Sequence, residues 1–179
     1  MRLDRVHDVD STAEPRVTEI ARLLAANQRY ADTRRKLGGR QPRRHLAVVT
    51  CIDTRIDPLE VLGLELGEAV VLRNAGARVT DDVLRSLAVS THVLAVDTVV
   101  LMQHTTCGLT ATTDDELRAR TGAELDFLVI DDHASTLRTD VDRLARIPYL
   151  ASITSMAGLL YDLDRGLVDQ LVAWERAAP

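Results

Sequence analysis

Three short apolar runs organise the chain: L-A-V-V-T at 46–50, A-V-V-L-R at 69–73 and T-V-V-L-M-Q at 98–103. Each is continuously apolar and rich in β-branched residues instead of alternating with polar ones. Strands covered on both faces read this way, as in a parallel sheet flanked by helices. Between them the period lengthens to that of a helix. Thr80 precedes D-D-V-L-R-S-L-A-V-S-T-H-V-L, where Val83, Leu87, Thr91 and Leu94 mark one face, and Asp57 followed by Pro58 supplies a cap and a first turn.

Upstream, Val17, Ile20, Leu24, Asn27 and Ala31, widened by Leu23 and Tyr30, predict an amphipathic helix from Arg16. Downstream, Ser135 is a candidate cap for a helix to about Arg146, and residues 153–163 read as a last strand. The fold class is therefore α/β, a sheet core flanked by helices, in one domain over 16–179. Residues 1–15 are polar and unpatterned, contain Pro15, and are expected to form a flexible arm.

Composition narrows the function classes. The 179 residues carry 22 basic and 27 acidic side chains, and the basic ones are scattered, so nucleic acid is not an expected partner. A small or neutral substrate fits better. No apolar run reaches the roughly 20 residues of a membrane span, and the first ten residues lack the apolar stretch of a signal peptide, so the expectation is a cytoplasmic protein without a membrane partner. Two cysteines in a reducing compartment point to buried thiols, metal ligands or a reactive site more than to a disulfide.

Their positions carry the chemistry. Cys51 follows the first run in C-I-D-T-R, and His104 and Cys107 follow the third in H-T-T-C-G. Carboxyl ends of parallel strands face one crevice, so residues 53 positions apart can converge there. Two thiolates and an imidazole suit zinc, and three protein ligands leave a fourth tetrahedral position open. Asp53 and Arg55 follow Cys51 two residues apart, where a carboxylate beside a guanidinium stays ionised and could accept a proton.

Each piece alone has an ordinary reading. A free cysteine is most often inert core, a histidine after a strand is usually just hydrogen-bonded, and an Asp-Arg pair can be a plain loop salt bridge. The joint pattern is what points to a metal. R-N-A-G, Arg73 to Gly76, is equally well a simple turn or a lining of the same sheet edge. His7, His45, His92 and His133 lie in no metal-ligand spacing and read as surface or packing residues, any of which could shuttle protons.

In order and spacing these residues resemble the β-carbonic anhydrases. C-I-D-T-R matches the family's C-x-D-x-R, R-N-A-G its R-N-A-G, and H-T-T-C-G its H-x-x-C-G, with likeness running from L-L-A-A-N-Q-R-Y-A to M-A-G-L-L-Y-D-L-D-R-G, which is similar to the family's last strand. The resemblance implies a mostly parallel sheet with an antiparallel edge, and a homodimer or homotetramer with an N-terminal helix reaching onto the partner. It implies Zn2+ on Cys51, His104 and Cys107, and reversible hydration of carbon dioxide to bicarbonate by attack of zinc-bound hydroxide. Asp53 would orient that hydroxide, or take the fourth zinc position in a closed form from which Arg55 draws it away. Arg73, Asn74, Ala75, Gly76 and Gly108 would line the site.

The sequence departs from plant-type members, which carry a glutamine shortly before G-E-A where Glu65 and Leu66 stand here, and aromatic residues are only 3%. It is closer to a compact prokaryotic branch, whose relatives with the same ligands hydrolyse carbonyl sulfide or carbon disulfide. That hydrolysis is the alternative to carbon dioxide hydration. A non-catalytic zinc protein closed by Asp53 and a cysteine redox module are further alternatives, the last weakened by the distance between the cysteines in sequence.

Overall fold

The computed structural model describes residues 18–34 and 38–177. The expected flexible arm, the start of the first helix at Arg16 and Val17, and His7 lie outside the described residues. The first helix, α1 (Glu19–Thr33), starts where Thr18 accepts a hydrogen bond from the Ala21 amide at 3.2 Å, with Glu19 in the first turn, so an oxygen cap and an acidic charge meet the amide end of the helix dipole. Ile20, Leu23, Leu24 and Tyr30 recur along it at the spacing the sequence predicts.

From Gly38 onward a five-stranded sheet forms the frame. In chain order its strands are β1 (Leu46–Cys51), β2 (Ala69–Asn74), β3 (Thr98–His104), β4 (Ser155–Asp162) and β5 (Leu167–Glu175), arranged β2-β1-β3-β4-β5. All neighbours are parallel except β4 with β5. The three apolar runs are β1, β2 and β3, as predicted. β1 and β3 are buried along most of their length, as continuous apolar strands should be. β2 differs: it is an edge strand and only half-buried, because only β1 pairs with it.

The two longer helices after Gly38, at 81–94 and 133–145, bury a stripe on this sheet. α2 (Pro58–Val61) is a single turn capped by Asp57, whose carboxylate accepts from the Leu59 and Glu60 amides, as Asp57-Pro58 predicts. α3 (Asp81–Leu94) starts at the Thr80 cap and buries Val83, Leu84, Leu87 and Thr91, whereas Leu94 is only half-buried. α4 (Asp114–Thr121) opens on a reciprocal capping box between Thr113 and Glu116 and closes at Gly122, in the left-handed region at φ 67°. α5 (His133–Ala145) is capped by Asp132, not by Ser135. The Ser135 amide donates to the Asp132 carboxylate at 2.8 Å, so Ser135 sits at the third helical position and the stronger acceptor takes the cap.

The C-terminal segment also corrects the sequence reading. The strand read at 153–163 is β4, but it is not the last: Asp162 accepts from the Asp164 and Arg165 amides, Gly166 turns at φ 68°, and β5 returns antiparallel. The antiparallel edge implied by the family resemblance is this strand. Among the described residues, no helix is long and apolar enough to cross a membrane.

The main core joins β1 and β3 to α3 and α5 through Val49, Leu87, Leu101, Leu137 and Leu144, with Met156 and Val172 from β4 and β5. A second, smaller cluster of Cys51, Ile56, Met102, Cys107 and Ile130 gathers at the carboxyl ends of β1 and β3. Where β4 passes under α5, Gly158 has no room for a side chain: a Cβ there would meet Leu137 Cβ at 2.9 Å and Val172 Cβ at 3.0 Å. Neither neighbour is the tip of a flexible chain, so Gly158→Ala is expected to cost about 1–3 kcal/mol of unfolding free energy, read by denaturant titration.

Candidate metal centre

The parallel register of β1 with β3 pairs Thr50 with Met102, which brings Cys51, the last residue of β1, beside the end of β3 where His104 closes the strand. Both ligand candidates are thus within their strands, not one position beyond them as the sequence reading placed them. After His104 the chain turns sharply: Thr106 takes a left-handed conformation at φ 55°, and Cys107 comes back over the strand end. Its carbonyl then accepts from the Thr110 amide and hydroxyl, which fixes the short turn Gly108–Thr110.

The result is one donor cluster. Ligand atoms of Cys51, His104 and Cys107, all buried, lie within 4.8 Å of one another, with the two sulfurs 4.0 Å apart. Two thiolates about 2.3 Å from one tetrahedral zinc would stand about 3.8 Å apart, so the spacing fits without rearrangement. His104 Nδ1–H donates to the Thr105 carbonyl at 2.8 Å, which leaves Nε2 as the free lone pair. Nε2 is buried and has no hydrogen-bond partner, a costly condition that a metal ion would relieve. The residues present therefore fit a soft-to-borderline divalent ion such as zinc.

The electrostatics agree. Hydrogen bonding from the Cys107 thiol holds Cys51 down at a pKa of about 3, and the same contact, with burial, pushes Cys107 up. Burial works against a charged His104, but the Cys51 sulfur beside it and the Thr105 carbonyl raise its pKa overall. The Gly76 amide adds a hydrogen bond to Cys51 Sγ at 3.4 Å.

Asp53 and Arg55 flank the cluster as a two-pronged pair. Arg55 Nε donates to Asp53 Oδ1 at 2.9 Å and Nη2 to Oδ2 at 2.6 Å, and the Arg55 amide donates to Oδ1 as well. These bonds hold the carboxyl well below the usual carboxylate range. Asp53 Oδ2 stands 3.8 Å from His104 Nε2, at the edge of the donor cluster.

A cavity of about 330 Å³ opens on the sulfurs. Ala75, Gly76 and Gly108 line it, together with Ile52, Leu109 and Leu117. Arg73 and Asn74 do not line it. Arg73 sits behind the loop, where its guanidinium donates to the carbonyls of Cys51, Asp53 and Ile56 at 2.9, 2.6 and 3.0 Å. Asn74 holds the backbone of Arg78 from both sides, accepting from its amide and donating to its carbonyl. A larger depression of about 500 Å³ lies along Arg55, Pro58 and Arg73, away from the sulfurs.

His133, read from the sequence as a surface or packing residue, meets the Gln103 side chain at 2.8 Å; sequence reasoning passed over Gln103, and Arg78 with Asp140. Burial lowers the His133 pKa, with His104 adding to the shift. The signal that could have found Gln103 is a polar side chain at the end of an otherwise apolar strand.

The loop bracing is testable by itself. Arg73→Met removes three carbonyl acceptances from one exposed side chain, so amide exchange over residues 53–56 should accelerate, with about 1 kcal/mol lost in stability. Unchanged exchange in that loop would show that it holds its shape without Arg73.

Comparison with known proteins agrees with this architecture. Residues 46–146 match the family model described as carbonic anhydrase. Beta-carbonic anhydrase 1 of Mycobacterium tuberculosis is 34% identical over 154 residues, covering 83% of this chain and 94% of that protein. A carbon disulfide hydrolase of Saccharolobus solfataricus is 35% identical over 107 residues, 58% of this chain and 52% of that one. Among solved structures, the carbonic anhydrase from Streptococcus mutans superposes with a TM-score of 0.77 at 34% identity, over 87% of this chain and 98% of its own.

Proposed function

Because this chain belongs to the β-carbonic anhydrase family, we propose that it interconverts carbon dioxide and bicarbonate, with a zinc ion held by Cys51, His104 and Cys107. The observation that carries the reading is the convergence of three buried donors with a partnerless imidazole nitrogen among them. When bound, zinc supplies Lewis acidity, which lowers the pKa of water so that a nucleophile is available near neutral pH.

The chain's own residues do the rest. Asp53, kept ionised by Arg55, offers an acceptor oxygen beside the donor cluster, where it can hold the proton of the attacking water and fix the direction of its lone pair. Arg55 acts by positioning, since Nε and Nη2 are both engaged by the carboxylate. Arg73 carries the backbone of the whole Cys51–Ile56 loop, and so places Asp53 relative to Cys51. Ile52, Leu109 and Leu117 give the cavity an apolar wall suited to a small linear molecule without charge.

The pairing of both Asp53 oxygens with Arg55 supports an open site over the non-catalytic reading, in which Asp53 would occupy the fourth position. The aliphatic wall supports a second reading on the same residues, hydrolysis of carbonyl sulfide or carbon disulfide, which release of hydrogen sulfide would distinguish. We further read the working form as a homodimer or homotetramer in the cytoplasm, a reading supported by family membership and by the apolar stripe Ile20, Leu23, Leu24 and Tyr30 of α1.

Stopped-flow hydration of carbon dioxide by zinc-loaded protein between pH 7 and 9 is expected to run far above the buffer rate and to rise with pH. Background turnover with zinc bound would contradict the carbonic anhydrase reading. Cys107→Ser should lose zinc by elemental analysis, whereas Asp53→Ala should keep zinc and lose turnover by at least about 100-fold. Full activity in Asp53→Ala would remove the role given to this acid.

The depressed pKa of Asp53 also makes a pH prediction. A carboxylate with a lowered folded pKa contributes stability that is complete above its unfolded value of about 3.9 and is lost as pH falls through the folded value. Asp53 therefore does not titrate between pH 6 and 9, and Asp53→Glu should keep the midpoint of any activity inflection in that range. A midpoint moved by a full unit would assign the inflection to the acid itself.

A further inference from the structure

We infer that the buried ion pair of Arg78 and Asp140 is a positioning device for the metal centre: it locks the strained Gly76–Ala77 turn so that the Gly76 amide stays aimed at the Cys51 sulfur. This rests on the reading of Cys51 as a metal ligand.

The turn has reason to relax. Gly76 and Ala77 are consecutive left-handed residues, at φ 72° and 55°, and Ala77 has a Cβ that this conformation disfavours. The next residue, Arg78, is held at every polar point. Asn74 accepts from its amide at 3.0 Å and donates to its carbonyl at 2.7 Å. Its guanidinium, buried with the rest of the side chain, donates through Nε to Asp140 Oδ2 at 2.7 Å and through Nη2 to Oδ1 at 3.4 Å, while Nη1 donates to the carbonyls of Leu128 and Val129. Asp140, also buried, accepts from the Val79 amide as well.

One guanidinium thus ties three segments: the turn after β2, the stretch leading to Ile130, and α5. The second tie matters for the same turn. Ile130 Cδ1 lies 3.2 Å from the place a Gly76 Cβ would occupy, so the segment drawn in by Arg78 backs the glycine from behind. Buried ion pairs are often no more stabilising than apolar pairs of equal volume, so stability gives little reason for charges at this place. Fixing distances between segments does. An amide aimed at a thiolate withdraws charge from the sulfur and orients it, as outer partners of metal ligands do.

The test uses the full chain with Arg78→Met and Asp140→Leu combined, an apolar replacement of the pair that preserves volume. In the metal-free protein, exchange of the Gly76 amide should accelerate at least about tenfold over wild type. In the cobalt(II)-substituted protein, the thiolate-to-metal charge-transfer band should move to longer wavelength, and zinc transfer to a chelator should accelerate about tenfold. Wild-type values for Gly76 exchange and for the band, with only the melting temperature lowered, would overturn the inference. If circular dichroism shows the double variant unfolded, Asp140→Asn, which keeps the shape, is read by the same measurements. A wild-type cobalt protein with no thiolate band would instead overturn the metal reading, and Gly76 exchange would still decide the positioning.

Discussion

The register between β1 and β3 is the constraint on which the site depends. With Thr50 opposite Met102, Cys51 and His104 arrive at the same sheet edge within one residue of each other, and the left-handed Thr106 needs only one tight turn to bring Cys107 back. A slip of one residue would turn each side chain to the opposite face and part the sulfur from the imidazole. The main core guards against that slip, because Val49 and Leu101 are fully buried between the sheet and the helices α3 and α5. Hydrophobic packing and the geometry of the donor cluster are therefore set by the same backbone pairing.

Around that edge, charge is arranged so that each group has one task. Arg55 holds the Asp53 carboxylate, Arg73 holds the carbonyls of the loop beneath it, and Arg78 with Asp140 anchors the turn that faces Cys51. None of these guanidinium groups lies among the sulfurs and imidazole, so the donor cluster keeps its negative character for a cation. Both sulfurs and the imidazole are buried, while aliphatic side chains line the opening in front of them. In that setting a single carboxylate oxygen at the rim has more influence than it would in water.

How much of this could be read from the sequence follows the range of each interaction. β1, β2, β3, α3 and the donor set were legible because each is written in a few adjacent residues: a β-branched run, a threonine cap, a cysteine at a strand end. The cap of α5 was misplaced because Asp132 and Ser135 are both good caps, and only the folded backbone shows which oxygen meets the free amides. α4 was passed over although Thr113 and Glu116 have the spacing of a capping box. β5 was passed over because L-V-D-Q-L-V-A-W-E is largely exposed at the sheet edge and weakly patterned, although Asp162 to Gly166 has the composition of a turn. Arg73 and Asn74 were assigned to the right neighbourhood and the wrong task, since a sequence does not say which side of a loop a side chain takes. The Arg78–Asp140 pair spans 62 positions and carries no local signal.

The central claim, that three strand-end residues converge on one zinc ion, is tested most directly by X-ray absorption at the zinc edge of the purified, zinc-loaded chain. The account predicts two sulfur neighbours at about 2.3 Å, with the remaining neighbours nitrogen or oxygen at about 2.0–2.1 Å. A shell with no sulfur, or with only one, would contradict it, because Cys51 and Cys107 could not then both be ligands of the ion.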